Sequence, residues 1–262
     1  MKLHRPLVVA NWKMNIPEGG LSDFVASCSS NSESRPGKDI EVWIAPPFPY
    51  LSPLRAEISA FGFDAEVGAQ NCSDQKTGAL TGEVSAEMVS DQGAVFVILG
   101  HSERRTLFGE TDALIARKIT AVGMAQLVPL VCVGEDLESR ERGLTAQVVT
   151  RQLRECLGPA RDRFGSLVIA YEPLWAIGTG RNASAAVVVE VNQVIRKVLR
   201  DFGEESSRVL YGGSVTPENA ADLARAGGAD GFLIGGASLD PSKFMGICAA
   251  LSPHPASPVE KS

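Results

Sequence analysis

The amino-acid sequence predicts an α/β protein folded as a single-domain, closed (β/α)8 barrel, and three observations carry that reading. Eight short runs rich in valine and isoleucine recur along 262 residues, a length that suits one large barrel or two small domains. Several runs are apolar on consecutive positions, as in Val95-Phe96-Val97-Ile98-Leu99. That is the pattern of strands covered on both faces, as in a parallel sheet. Between the runs lie longer stretches with helical periodicity, so strand and helix alternate throughout.

In order, the strand candidates are residues 7–10, 40–45, 65–69, 94–99, 127–133, 167–171, 208–211 and 231–234. Two of the intervening helices are legible in detail. In the first, Val187, Val191, Val194, Ile195 and Val198 repeat at helical spacing, with Glu190, Arg196 and Lys197 on other faces. The second opens Thr216-Pro217-Glu218: a capping residue, a proline at the first helical position and an acid in the first turn. An open doubly wound sheet is the alternative, but it calls for a glycine-rich turn after the first strand. Here that strand runs into Asn11-Trp12-Lys13. No linker or low-complexity tract breaks the alternation, so residues 1–251 are expected to form one barrel domain. Residues 252–262, with Pro253, Pro255 and Pro258, read as a frayed tail.

Composition narrows the function classes. Hydrophobic residues make up 44% and charged residues 21%, enough for a packed core. The net charge of −6 argues against nucleic acid or an anionic membrane as the main partner. Cys28, Cys72, Cys132, Cys156 and Cys248 are scattered, odd in number and without a CxxC pair, which suits a reducing, cytoplasmic compartment. His4, His101 and His254 are far apart, so no metal cluster is expected. The first residues lack a signal-peptide pattern, and no apolar run approaches membrane-spanning length.

A closed parallel barrel places its functional groups where the strands end. The first run ends at Asn11 and Lys13, the fourth at Gly100-His101-Ser102-Glu103-Arg104 and the sixth at Glu172-Pro173. The seventh ends at Gly212-Gly213-Ser214 and the eighth at Gly235-Gly236. Together they offer a carboxylate, an imidazole and an ammonium, which suit proton transfer beside a carbonyl. They also offer two glycine-rich turns whose backbone N–H groups can approach an anion.

Five strings are similar to the triosephosphate isomerase family: Asn11-Trp12-Lys13-Met14-Asn15, Gly100-His101-Ser102-Glu103-Arg104-Arg105, the stretch from Ala170 through Glu172-Pro173-Leu174-Trp175 to Gly180, Tyr211-Gly212-Gly213-Ser214-Val215, and Gly235-Gly236-Ala237-Ser238-Leu239. They occur in the family's order over roughly residues 7–250. The resemblance implies a TIM barrel, a cofactor-free and metal-free aldose–ketose isomerase, and a triose phosphate substrate. It implies Glu172 as the base, and His101 as a neutral electrophile whose pKa is lowered by a helix start, as is established for the family. Lys13 would stabilise the enediolate and the phosphate, and Asn11 would orient substrate. Gly178, Ser214, Gly235 and Gly236 would present N–H groups to the phosphate. Glu103 and Cys132 are expected behind these groups, Glu103 near Lys13 and Cys132 as packing. The loop Thr77-Gly78-Ala79-Leu80-Thr81-Gly82-Glu83 resembles the family's dimer loop, with Thr81 and Glu83 as contact residues of a homodimer.

Departures are mild. Leu174 stands where valine is more usual, and Arg181-Asn182-Ala183-Ser184 replaces the commoner Lys-Thr-Ala. They fall at the beginning and the end of residues 173–183, which resemble the family's closing lid. Two rivals stay in view: another phosphosugar isomerase or aldolase, and a barrel retained only for binding. An aldolase of this shape needs a buried Schiff-base lysine or a metal set, and only Lys13 stands at a strand end. A retired enzyme would lack Lys13, His101 or Glu172, and all three are present.

Overall fold

The computed structural model describes residues 5–30, 40–176, 183–226 and 228–251. Eight strands form the barrel: β1 Leu7–Asn11, β2 Glu41–Ala45, β3 Glu66–Ala69, β4 Phe96–Leu99, β5 Val128–Val133, β6 Val168–Tyr171, β7 Arg208–Tyr211 and β8 Gly231–Ile234. Around it lie α1 Gly20–Ser30, α2 Leu51–Phe61, α3 Ala86–Asp91, α4 Ser102–Leu107, α5 Asp112–Met124, α6 Leu137–Glu141, α7 Thr145–Leu157, α8 Ala185–Phe202, α9 Pro217–Arg225 and α10 Pro241–Leu251. Each strand pairs in parallel with its neighbour in sequence, and β1 closes on β8 through Leu7 opposite Gly231. Closure removes both sheet edges and makes every strand internal.

The strands are short because each needs only to cross a filled barrel. Leu7, Val9, Trp43, Phe96, Ile98, Leu130, Val168, Leu210 and Leu233 point inward, and alternate residues such as Val8, Ala10, Val42, Ile44, Val97 and Val131 pack outward against the helices. That alternation explains the consecutive apolar letters: both faces are core. Trp43 stacks on Phe96 with ring centroids 4.6 Å apart. Gly68 makes room for Phe96, since a Cβ there would lie 2.3 Å from its ring.

The two helices singled out by sequence form where their signals lie. Ser184 caps α8, and Gly203 ends it in the left-handed conformation, φ 78°. Its buried stripe is Val188, Val191, Asn192, Ile195, Val198 and Leu199. It is therefore turned slightly from the predicted one, with Val187 and Val194 on its half-buried margin. At α9, Thr216 and Asn219 form a reciprocal capping box, and Pro217 occupies the first turn.

Candidate active site

Asn11, Lys13, His101, Glu172, Ser214, Gly235 and Gly236 line one cavity of about 290 Å3 at the carboxyl ends of the strands. Gly212, Gly213, Val215, Thr216, Leu233, Ile234 and Ala237 complete its wall. Seven sequence candidates, from strands β1, β4, β6, β7 and β8, thus meet in one place. Gly178 lies outside the described residues, as does the lid tip at 177–179.

Lys13 follows β1 in a left-handed backbone, φ 51°, a conformation that costs a lysine about 1 kcal/mol. Two polar side chains hold it there. Asn11 Oδ1 accepts from the Lys13 N–H at 3.1 Å, and Gln70 Nε2 donates to the Lys13 carbonyl at 2.8 Å. Gln70 also donates to the Ala45 carbonyl at 2.8 Å, tying the ends of β1, β2 and β3 together. The Lys13 ammonium pairs with Glu103 at 2.5 Å, where Glu103 was expected. A Cβ on Gly235 would touch Lys13 Cε at 3.4 Å, so the β8 turn packs directly against this side chain.

His101 and Glu172 are both buried. His101 is the N-cap of α4, and its Nδ1 accepts the Glu103 N–H at 3.3 Å. That bond leaves Nε2 to carry the proton of the neutral imidazole, 3.0 Å from Glu172 Oε1. The other carboxylate oxygen accepts the Ser102 N–H at 2.9 Å. The first N–H groups of α4 therefore hold both chemical groups. Gly212 makes room for the base, since a Cβ there would lie 2.9 Å from Glu172 Cγ.

The charges shape one another. Burial would raise the Glu172 carboxyl, but His101, the Ser102 N–H and Lys13 together bring it below the ordinary carboxylate range. Burial would lower the His101 imidazole, but the facing Glu172 carboxylate outweighs that and raises it. In this arrangement the direction is the reverse of the depressed imidazole that the resemblance implies. The helix-start N–H is in place, yet in this arrangement Glu172 rests against the ring and its charge decides the direction.

Cys132 faces the barrel interior beside Glu172 and is fully buried. Burial, reinforced by the Glu172 charge, pushes its thiol far above the ordinary range, so it is no thiolate nucleophile. Thr81 and Glu83 stand away from the cavity on the exposed loop between β3 and α3. Among the described residues, no group of three or more His, Cys, Asp or Glu is disposed to hold a metal. None of the described helices is long and apolar enough to cross a membrane.

Sequence reasoning missed Gln70, Gly212 as a spacer for the base, and Glu135. Gln70 directly follows β3, so the strand-end rule applied to every strand would have found it. Glu135 is fully buried after β5 and accepts from Tyr171 Oη at 3.1 Å and Trp175 Nε1 at 3.0 Å. It anchors the chain on both sides of Glu172, and its pairing over 36 and 40 residues leaves no local signal.

A closed parallel barrel whose mouth joins a buried carboxylate, an imidazole and an ammonium to glycine-rich anion turns defines a barrel isomerase working by proton transfer. The triosephosphate isomerase family model matches residues 6–251. Curated triosephosphate isomerases agree with it. That of Xanthobacter flavus is 45% identical over 250 residues, covering 94% of this chain and 98% of its own. Those of Nitrosococcus oceani and Alcanivorax borkumensis are 44% and 46% identical, covering 95% and 94% of this chain and 99% and 98% of their own. The chain belongs to the triosephosphate isomerase family.

Proposed function

We propose that the chain interconverts dihydroxyacetone phosphate and D-glyceraldehyde 3-phosphate through an enediolate, as a cytoplasmic homodimer serving glycolysis and gluconeogenesis. One observation carries the chemistry: Glu172, His101 and Lys13 border a single cavity that is also lined by Ser214, Gly235 and Gly236. Glu172 is held as a carboxylate and takes a proton from the carbon beside the carbonyl. To reach it, the carboxylate turns away from Ser102 and His101. The imidazole then loses the larger of the two carboxylate charges that raise its pKa, Glu103 being the other, while burial, the Lys13 charge and the Glu103 N–H on Nδ1 remain and favour the neutral form. Neutral His101 donates from Nε2 and moves protons between the two oxygens. The Lys13 ammonium stabilises the charge that develops on them.

Asn11 orients the substrate. The backbone of Ser214, Gly235 and Gly236 holds the phosphate, with Gly178 as a further proposed donor. The phosphate is the non-reacting handle whose binding energy is spent on closure and orientation. Glu103 steadies Lys13, and Cys132 packs behind the base. A coupled assay tests the reading. Purified protein given glyceraldehyde 3-phosphate should form dihydroxyacetone phosphate without added metal or cofactor, and absence of turnover would contradict it.

Exposed apolar side chains support the dimer. Met14 is 94% exposed beside Lys13, and Phe108 and Leu80 are 67% and 46% exposed. A second cavity of about 320 Å3, lined by Lys13, Met14, Phe48, Gln70, Glu103 and Phe108 among others, opens at the ends of β1 and β4. The Thr81–Glu83 loop of a second copy would fill it, covering apolar surface that a monomer leaves to water. Sedimentation at micromolar concentration should give twice the 27.8 kDa chain mass. A fully active monomer would remove this part of the proposal.

A further inference from the structure

We infer that Arg105 is a positioning residue for the reaction, one that sets the distance between the imidazole and the base. The inference rests on the reading of His101 and Glu172 given above. Strand β4 pairs with β5 up to Leu99 opposite Val131. The next residues in register, Gly100 and Cys132, should pair as well, but there the chain of β4 turns off into α4. At Gly100 it adopts φ +65°. The strand β5 continues and pairs with β6 through Val133 and Tyr171. The ladder thus splays open at the rung where the chain of β4 leaves β5 toward His101; on its other side β5 pairs Cys132 with Ala170, two residues before Glu172.

The Arg105 guanidinium spans that rung. Its Nε donates to the Gly100 carbonyl at 2.8 Å, and its Nη2 donates to the Cys132 carbonyl at 3.1 Å. The Gly100 carbonyl belongs to the peptide unit from which His101 springs, so one hydrogen bond fixes the plane of that unit. The Arg105 backbone N–H also donates to the His101 carbonyl, at 3.1 Å. Both peptide units flanking the imidazole are therefore held by one residue. On the far side, Cys132 packs against Glu172, and the following residue accepts the Glu172 N–H through the Val133 carbonyl at 2.8 Å. Gly100 is required at this rung, since a Cβ there would lie 3.1 Å from Arg105 Nη2 and 2.6 Å from Ile115 Cδ1.

The fork is itself held. Nη1 is bonded to Asp112 Oδ1 in the first turn of α5, and the buried Cys156 thiol lies 3.4 Å from that oxygen and 3.9 Å from Nη2. The side chain is 14% exposed and Asp112 11%, so solvent competes little for these bonds. A planar guanidinium can serve two carbonyls and a carboxylate at fixed angles, whereas a lysine ammonium on a flexible stem cannot reproduce that fork. Arg105 does not line the cavity, so its effect runs through His101 and Glu172.

The test is Arg105→Lys, read by kcat, KM, the inhibition constant of inorganic phosphate and the melting temperature. Loosening the rung should lower kcat tenfold or more, since displacement on the order of 1 Å can cost a hundredfold. KM and phosphate inhibition should change less than about twofold, because the β7 and β8 turns are untouched. Wild-type kcat overturns the inference. So does a parallel loss of kcat, phosphate binding and melting temperature, which is what a general structural bolt would give. Should Arg105→Lys not fold, Asp112→Asn keeps an oxygen acceptor and reads the same split. A kcat loss at constant phosphate inhibition supports the inference, and unchanged kcat overturns it. His101→Gln and Glu172→Asp separate this inference from the reading beneath it. If they keep wild-type kcat, that reading falls and the role of Arg105 with it. If they lose kcat while Arg105→Lys keeps it, the role of Arg105 alone falls.

Discussion

The two ends of the barrel treat charge in opposite ways. At the amino ends of the strands, Arg208 pairs with Glu41 at 2.6 Å and lies over the Trp43 ring, 5.2 Å from its centroid. Trp43 in turn stacks on Phe96, so that end is filled. At the carboxyl ends, Lys13, His101 and Glu172 surround an open cavity, and Lys13 sits in a strained backbone. The amino end packs its ion pair against aromatic rings, and the carboxyl end sets its pairs, Lys13 with Glu103 and His101 with Glu172, around space for a guest. The contrast teaches that an ion pair's meaning depends on what shares its space: aromatic packing at one end, room for a substrate at the other.

Substitutions at the two ends should therefore separate activity from stability. Lys13→Met removes a cation from the cavity, and kcat/KM should fall about a thousandfold while the melting temperature holds or rises. Glu172→Asp withdraws the carboxylate by one methylene, and kcat should fall about a hundredfold with KM nearly unchanged. Arg208→Met at the opposite end should leave kcat alone and cost about 2 kcal/mol in denaturant unfolding, between the values for exposed and buried pairs. Equal loss of activity in Arg208→Met would erase the distinction between the ends.

The smallest expected effect is a pH dependence. His101 has a raised pKa in the folded state, so its contribution is complete below the unfolded value of about 6.5 and is lost as pH rises through the folded value. Glu172 has a lowered pKa, so its contribution is complete above the unfolded value of about 4.3 and is lost as pH falls. The substrate-free pair is thus most stabilising between about pH 4.3 and 6.5. His101→Gln should reduce the melting temperature more at pH 5.5 than at pH 9. The reverse ordering would mean that the imidazole is not raised by Glu172.

Much of this was legible in sequence because the barrel repeats one local rule. Strands covered on both faces read as short apolar runs, and the eight runs coincide with the eight strands to within two residues; the largest shift is at β4, which begins at Phe96 rather than residue 94. Chemistry at strand ends was equally local, so Asn11, Lys13, His101, Glu172, Ser214, Gly235 and Gly236 were found together. Contacts made across the barrel were not legible. Lys118, not singled out by sequence, is buried on Glu110 and Asn71 at 2.5 and 2.8 Å. Arg105 enters the sequence reading only as the end of the string that starts at Gly100, and only the register of β4 against β5 reveals the rung it spans. The His101 pKa direction depends on where Glu172 points, which no spacing encodes.

The most direct test of the account is isomerisation in deuterated water. Proton abstraction by Glu172 predicts that triose phosphate formed by the wild-type enzyme carries deuterium on the carbon next to the carbonyl, because the abstracted proton exchanges with solvent on the base. Glu172→Gln should lose isomerisation and deuterium incorporation together. Product free of deuterium, or incorporation that survives Glu172→Gln, would contradict it.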